Sequence, residues 1–281
     1  MCLIVLFLVL AVSPLCAQPD SGRVMEIGVL PAALNGTSGL VYGWGSLWTV
    51  NDHSALSIYK LDSVSGAVTE CVGISDVMPV DLEEMQVGSN CLYLGDIGNN
   101  CGCRNDLRIL RIDSSNLFSA IPVMDTIAFF YPEQMLFSAD PFSSDFDCEA
   151  FVVVDDSVFL FTKQWSSLGT SCYVIPNVPG VHVAELRYTL PVQGLVTGAS
   201  LIVSDGDLLL VGYSRLLRPF LLRLSDWREP EKVRFDKFFL SERMAQVEAV
   251  AQSPNGVVYV TNEAFGLSFL LRISPRLLRV L

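Results

Sequence analysis

The chain has 281 residues, 51% hydrophobic and 17% charged, with 30 acidic against 18 basic side chains and a formal net charge of -12. That apolar content excludes disorder as the state of the whole chain. The acidic excess, with no run of Lys or Arg anywhere, excludes a nucleic-acid backbone as a partner.

Residues 3 to 12 read Leu-Ile-Val-Leu-Phe-Leu-Val-Leu-Ala-Val, an apolar stretch of signal-peptide length that is too short for a comfortable membrane span. The expectation is a signal peptide over residues 1 to 17, cut near Ala17, with a mature domain over 22 to 281 that is exported to the periplasm, cell surface or exterior. Cys16 raises a lipoprotein alternative, disfavoured by the bulk of Leu15 beside it. No later stretch is long and apolar enough to be a transmembrane segment. The mature chain keeps Cys71, Cys91, Cys101, Cys103, Cys148 and Cys172, which can form disulfides in an oxidising compartment. Cys101 and Cys103 lie in a polar loop, and each is expected to bond elsewhere or stay free rather than close on the other. Zinc is rejected, since only His53 and His182 accompany the cysteines.

Further along, a repeat organises the chain. Its copies are Ser38-Gly39-Leu40 leading to Leu47-Trp48-Thr49-Val50, Glu83-Glu84-Met85 to Leu92-Tyr93-Leu94-Gly95, and Glu149-Ala150-Phe151 to Val158-Phe159-Leu160-Phe161. Two more are Gly198-Ala199-Ser200 leading to Leu208-Leu209-Leu210-Val211 and Glu248-Ala249-Val250 to Val257-Val258-Tyr259-Val260. The starts are spaced by 45, 66, 49 and 50 residues, which are propeller-blade lengths. Third strands are predicted at 56–61, 107–112, 171–175, 220–224 and 268–273, and fourth strands at 67–74, 126–131, 183–190 and 233–240. The last repeat lacks a fourth strand, while residues 24 to 30 form an extra strand before the first. The predicted fold is therefore all-β: a five-bladed β-propeller whose ring is closed by the N-terminal strand, leaving no long sheet edge open. Arg276 to Leu281 compete for that closing place. Six blades is the alternative, although the long loops at 99–106 and 132–145 contain no sixth copy.

In a propeller the first strand of each blade lines the central channel, so Ser38, Glu83, Glu149, Gly198 and Glu248 are expected to meet around the axis. Three carboxylates in a narrow channel repel unless a proton, solvent or a cation neutralises them. Calcium suits an all-oxygen set of flexible number, so Ser38, Glu83, Glu149 and Glu248 are the candidate metal ligands and Ca2+ the candidate cofactor. The competing reading has these glutamates hydrogen-bonded to backbone and buried water. Asp81 and Asp147, each two residues before a repeat glutamate, read as turn residues. A rim set just past the second strands comprises Asn51, Asp52, Asp96, Thr162, Lys163, Tyr213, Asn262 and Glu263.

The stretches Leu47 to Asp52, Tyr93 to Asn100 and Phe146 to Phe151 resemble those of a group of secreted bacterial proteins of unassigned function, across nearly the whole mature chain. The order Ser, Glu, Glu, small residue, Glu also resembles, more distantly, the calcium-activated nucleotidases (apyrases). That resemblance implies a five-bladed propeller with axial calcium held by Ser38, Glu83, Glu149 and Glu248, and hydrolysis of nucleoside di- and triphosphates. It gives Val50-Asn51-Asp52 the place of a strand-end aspartate pair, and Lys163 is the clear match to the family's phosphate-binding basic residues.

Two functions from different classes follow. The first is a secreted binding or scaffold protein with axial calcium and a small-molecule, glycan or protein ligand. The second is a calcium-dependent hydrolase of phosphate esters or anhydrides, with Lys163 holding negative charge and Asp52 accepting a proton. A lectin-like surface protein is the weaker third. His53 reads as a loop residue, and Trp48, Tyr93 and Phe159 read as packing between blades.

Overall fold

The computed structural model describes residues 22 to 281 apart from 53–54, 75–77, 116, 118–123, 138–139, 243–244 and 269–270. The predicted signal peptide and His53 lie outside the described residues. Among the described residues, all the strands except those of one two-stranded hairpin form five sheets of four or five strands around one axis, and each innermost strand packs on the innermost strand of the next blade. Among the described residues the helical content is one 3-10 turn, Ala32–Leu34, and no helix is long and apolar enough to cross a membrane.

From the axis outward, blade one is Thr37–Gly43, Ser46–Asn51, Ser57–Leu61 and Val68–Gly73. Blade two is Leu82–Val87, Cys91–Asp96, Arg108–Asp113 and Met124–Phe130; blade three is Asp147–Val154, Ser157–Lys163, Thr170–Pro176 and Glu185–Leu190. Blade four is Leu195–Leu201, Leu208–Tyr213, Pro219–Ser225 and Arg234–Phe239. Blade five is Val247–Gln252, Val258–Asn262, Arg276–Val280 and, outermost, Val24–Val29. The N-terminal strand thus closes the ring, antiparallel to the C-terminal one, with Val24 opposite Val280 and Val29 opposite Arg276.

Inner and outer strands differ as their surroundings require. Leu208–Tyr213, sandwiched between neighbouring blades, is buried at every position, whereas Arg234–Phe239 alternates between exposed and half-buried. The buried apolar side chains form five clusters, one at each blade interface. At the interface of blades three and four, Phe151's neighbours Ala150 and Val152 join Phe161, Leu210, Phe220 and Trp227. Trp48 and Tyr93 are core residues, and Phe159 meets Trp227 edge to face, as their packing role anticipates.

Three details depart from the sequence expectation. The third strand of blade five is Arg276–Val280 rather than 268–273, because Leu277 and Leu278 are the pair that fills the interior there; Phe265–Ser268 and Leu271–Ile273 form a separate hairpin. The predicted strand 183–190 divides: Glu185–Leu190 completes blade three, while Gly180–Val183 runs parallel along Met124–Phe130 as a fifth strand of blade two. Cys101 and Cys103 form a disulfide with each other, contrary to expectation, because Gly102 at φ 62 doubles the chain back and brings their Cα atoms to 5.2 Å.

Candidate functional site

Each innermost strand carries a β-bulge near its start, and the bulges build the site. The register slips between Ser38 and Leu40, Leu82 and Glu84, Cys148 and Ala150, Val196 and Gly198, and Val247 and Ala249. The extra residue is Glu83, Glu149 and Glu248 in blades two, three and five, Gly39 in blade one and Thr197 in blade four. A bulge re-aims a side chain while leaving the rest of the ladder intact. The sequence repeat therefore marks a recurrent backbone irregularity as well as a strand start.

Glu83, Glu149 and Glu248 line an axial cavity of about 340 Å³ together with Gly36, Thr37, Ser38, Asp52, Asp81, Asn100, Phe142, Lys163, Trp165, Tyr213, Gln246 and Glu263. Ser38, Glu83, Glu149 and Glu248 all reach it, as do Asp52, Lys163, Tyr213 and Glu263 from the rim set. Blade four lines the cavity through Tyr213, and neither Gly198 nor the bulge residue Thr197 lines it. The Thr197 hydroxyl donates to the Val247 carbonyl at 2.6 Å, much as Ser38 Oγ donates to the Glu83 carbonyl at 2.6 Å. Gly198 is needed for close approach, since a Cβ there would stand 2.8 Å from the Glu248 carbonyl oxygen.

Four other rim residues serve the framework. Asp96 is fully buried and holds Arg104 at 3.0 Å and Arg108 at 2.9 Å, while one of its oxygens also accepts the Val80 and Asp81 N–H groups. Thr162 Oγ1 accepts the Ser171 N–H. Asn262 ties together the Glu263 and Ser274 carbonyls and the Arg276 guanidinium. Asn51 accepts the Gly36 N–H and so shapes the cavity wall beside Asp52.

The electrostatics of the cavity are lopsided: six carboxylates (Asp52, Asp81, Glu83, Glu149, Glu248 and Glu263) line it with a single lysine. Lys163 Nζ donates to Glu149 Oε1 at 3.0 Å and stands 4.8 Å from the Trp165 ring centre. Burial pushes the Glu149 carboxyl well above the usual carboxylate range, reinforced by Glu83 and opposed by Lys163. Burial likewise raises Glu83, with Asp81 adding to it, and lifts Glu248 to about 8 against the pull of Lys163. For Lys163, burial works against the ammonium, yet Glu149, Tyr213, Glu248 and Asp147 outweigh it and hold the group well above the ordinary lysine range.

Several participants escaped sequence reasoning. Asp147 is more than a turn residue: buried, it accepts the Asn99 N–H and the Trp165 indole N–H, fixing Trp165 at the cavity mouth edge-to-face with Phe142. Asp81 reaches the cavity while its carbonyl accepts the N–H groups of Ile97 and Gly98. Their signal was the Asp-x-Glu spacing shared by blades two and three. Glu84 is fully buried and crosses the ring to accept the Ala199 N–H at 2.9 Å; burial raises its carboxyl well above the usual range.

As a calcium site the donor chemistry fits, since the carboxylates and Ser38 offer oxygen alone. The present arrangement is not a closed coordination shell: among the described residues no three His, Cys, Asp or Glu side chains converge at metal-ligand spacing, and Lys163 already engages Glu149.

No protein-family model and no curated protein matches the chain. Among solved structures it is similar to an exo-β-1,3-galactanase from Clostridium thermocellum, at a TM-score of 0.56 and 11% identity over 85% of this chain and 58% of that one. It is also similar to a glucose dehydrogenase, at a TM-score of 0.51 and 11% identity over 92% and 98% of the two chains. A glutaminyl cyclase from Myxococcus xanthus aligns at a TM-score of 0.47 and 12% identity over 93% and 100%. The galactanase and glucose dehydrogenase likenesses bear on the fold alone, and the activities named belong to those proteins.

Proposed function

We propose that the protein is an exported binding module whose axial cavity takes a hard divalent cation, calcium foremost, and presents the cation-loaded mouth to a polar ligand. One observation carries the reading: among the described residues, six carboxylates share a 340 Å³ cavity with one ammonium. Glu83, Glu149 and Glu248 are buried, and buried acids this close meet only by taking up protons or a cation; the oxygen-only donor set favours calcium over a transition metal. When bound, calcium would supply the missing positive charge. Ser38, Glu83, Glu149 and Glu248 are the residues to hold it, with Asp52 and Asp81 the nearest additional carboxylates. Lys163 shares Glu149 with any such cation and so sets the affinity. Trp165, Phe142 and Tyr213 give the mouth an aromatic side against which a ligand can rest.

Metal analysis of purified protein, with melting in calcium and in chelator, tests this. At calcium one hundred times its dissociation constant, linkage adds about 2.7 kcal/mol of stability. Equal transitions and no retained metal overturn the proposal in favour of glutamates held by protons and backbone.

The calcium-dependent phosphohydrolase stands as the second reading because Asp52 and Lys163 line the same cavity. The engagement of Lys163 with Glu149 counts against it, since a phosphate must compete with a buried carboxylate for the ammonium. Phosphate release from nucleoside di- and triphosphates with calcium, absent in chelator and in Lys163→Ala, supports it; none above blank removes it.

A further inference from the structure

Outside the axial cavity, the Cys101–Cys103 disulfide sits at the edge of a second cavity of about 390 Å³. Two long loops of blade two build this corner together. Gln134 Nε2 donates to the Gly102 carbonyl and the Phe142 N–H to the Asn100 carbonyl, so the 132–145 loop is laced onto the disulfide loop. Cys101, Met135, Leu136 and Phe146 line the cavity, with Glu133 and Asp145 among its polar side chains. Met135 and Leu136 are each 81% exposed, two adjacent large apolar side chains on the cavity that Cys101 also lines.

This disulfide contributes little as a staple. It closes a loop with a sequence separation of 2, and a cross-link over so short a span constrains the unfolded chain weakly. Its two sulfurs are also inequivalent. Cys103 is exposed and Cys101 half-buried, and the Cys103 N–H points at Cys101 Sγ at 3.3 Å. An amide donor aimed at a sulfur stabilises that sulfur as a departing thiolate, so the geometry favours attack on Cys103 with Cys101 leaving.

We infer that the Cys101–Cys103 disulfide and the apolar cavity beside it form a thiol–disulfide exchange site for an extended polypeptide carrying two cysteines with apolar neighbours. The first substrate thiol gives its proton to solvent, and its thiolate bonds to Cys103 Sγ as the Cys101–Cys103 bond breaks. Cys101 leaves as a thiolate and takes up a proton. The second substrate thiolate then attacks the sulfur of the first, forming the substrate disulfide and releasing Cys103 as a thiol. Two substrate thiols are oxidised and one protein disulfide is reduced, so a single turnover needs no other oxidant; a low-molecular-weight disulfide restores the starting state. The occupant is a polypeptide rather than a small thiol because Met135 and Leu136 offer apolar contact on the cavity side of the sulfurs, which a small thiol does not use.

The test uses the full chain with its disulfide formed, mixed with one equivalent of a reduced two-cysteine peptide flanked by Leu and Phe, and in parallel with the same peptide flanked by Asp. Acid quenching and mass spectrometry follow the reaction. The expected result is oxidation of the apolar-flanked peptide at least tenfold faster than of the Asp-flanked one, with a transient mixed disulfide mapping to Cys103. Leu136→Asp, an exposed loop change that leaves the blades untouched, should remove the tenfold preference while leaving reduction by dithiothreitol unchanged. A disulfide inert toward both peptides overturns the inference, as does equal reactivity toward the two or a mixed disulfide that maps to Cys101. Because Cys71 is also exposed, the Cys71→Ser variant is run alongside, and loss of the signal in that variant equally overturns it.

Discussion

Asp96 and Glu149 occupy comparable depths in neighbouring blades, yet one carboxylate is framework and the other belongs to a site. Asp96 meets two guanidinium groups and two backbone N–H donors, so its charge is answered several times over. Glu149 meets one ammonium, which it shares electrostatically with Glu83, Glu248 and Asp147. The difference lies in the balance of charge around each carboxylate. A buried acid whose partners are complete has nothing left to recruit, while a group of acids short of positive charge draws in a proton or a cation.

The largest effect is expected at the complete cluster. Asp96→Asn removes the charge that holds Arg104 and Arg108, and guanidinium groups do not escape by losing a proton. Breaking a buried pair in this way costs about 3–5 kcal/mol. Chemical denaturation should give the same loss in calcium and in chelator; a loss that calcium repairs would place Asp96 in the site after all.

Lys163→Met should cost less, about 2 kcal/mol in chelator, because Glu149 can take up a proton once its ammonium is gone. In calcium the loss should shrink, and calcium affinity measured by titration calorimetry should rise, since the competing ammonium has been removed. Unchanged or weaker calcium binding would show that Lys163 does not compete for Glu149, and would weaken the contrast with Asp96.

The contrast also explains what the sequence disclosed. Blade spacing and the strand alternations exposed the fold because each blade repeats the same burial problem, and repeated burial leaves a repeated pattern. The axial glutamates were legible for the same reason: the bulge recurs, and in three of the five blades it carries a glutamate. Thr197 was hidden because blade four places a glycine one residue later, and the tight approach of Gly198 to Glu248 is a property of the assembled ring. The neutralisation of Asp96 by Arg104 and Arg108 was hidden too, since the loop between blade-two strands had to fold before those guanidinium groups met it. Likewise Trp165 reaches the cavity mouth through its bond to Asp147, a partner 18 residues earlier in the chain.

The effect whose sign separates the two kinds of cluster belongs to Glu248. Its carboxyl ordinarily titrates near 4.5, and burial lifts it to about 8 in the folded protein. Between those values the unfolded chain has released a proton that the folded chain retains, so this group's contribution to stability falls as pH rises from about 4.5 to about 8 and stays low above it. Glu248→Gln keeps the shape of the protonated side chain and cannot ionise. In chelator at pH 8.5 it should therefore raise stability, with little change at pH 4.5. Calcium should reverse the ranking at pH 8.5, because wild type gains the ion and the glutamine variant has lost a charged ligand. Melting at the two pH values, with and without calcium, gives all four comparisons. A glutamine variant less stable than wild type in chelator at pH 8.5 would mean that Glu248, like Asp96, has its charge fully answered within the fold, and the axial cavity would then have no deficit for a cation to fill.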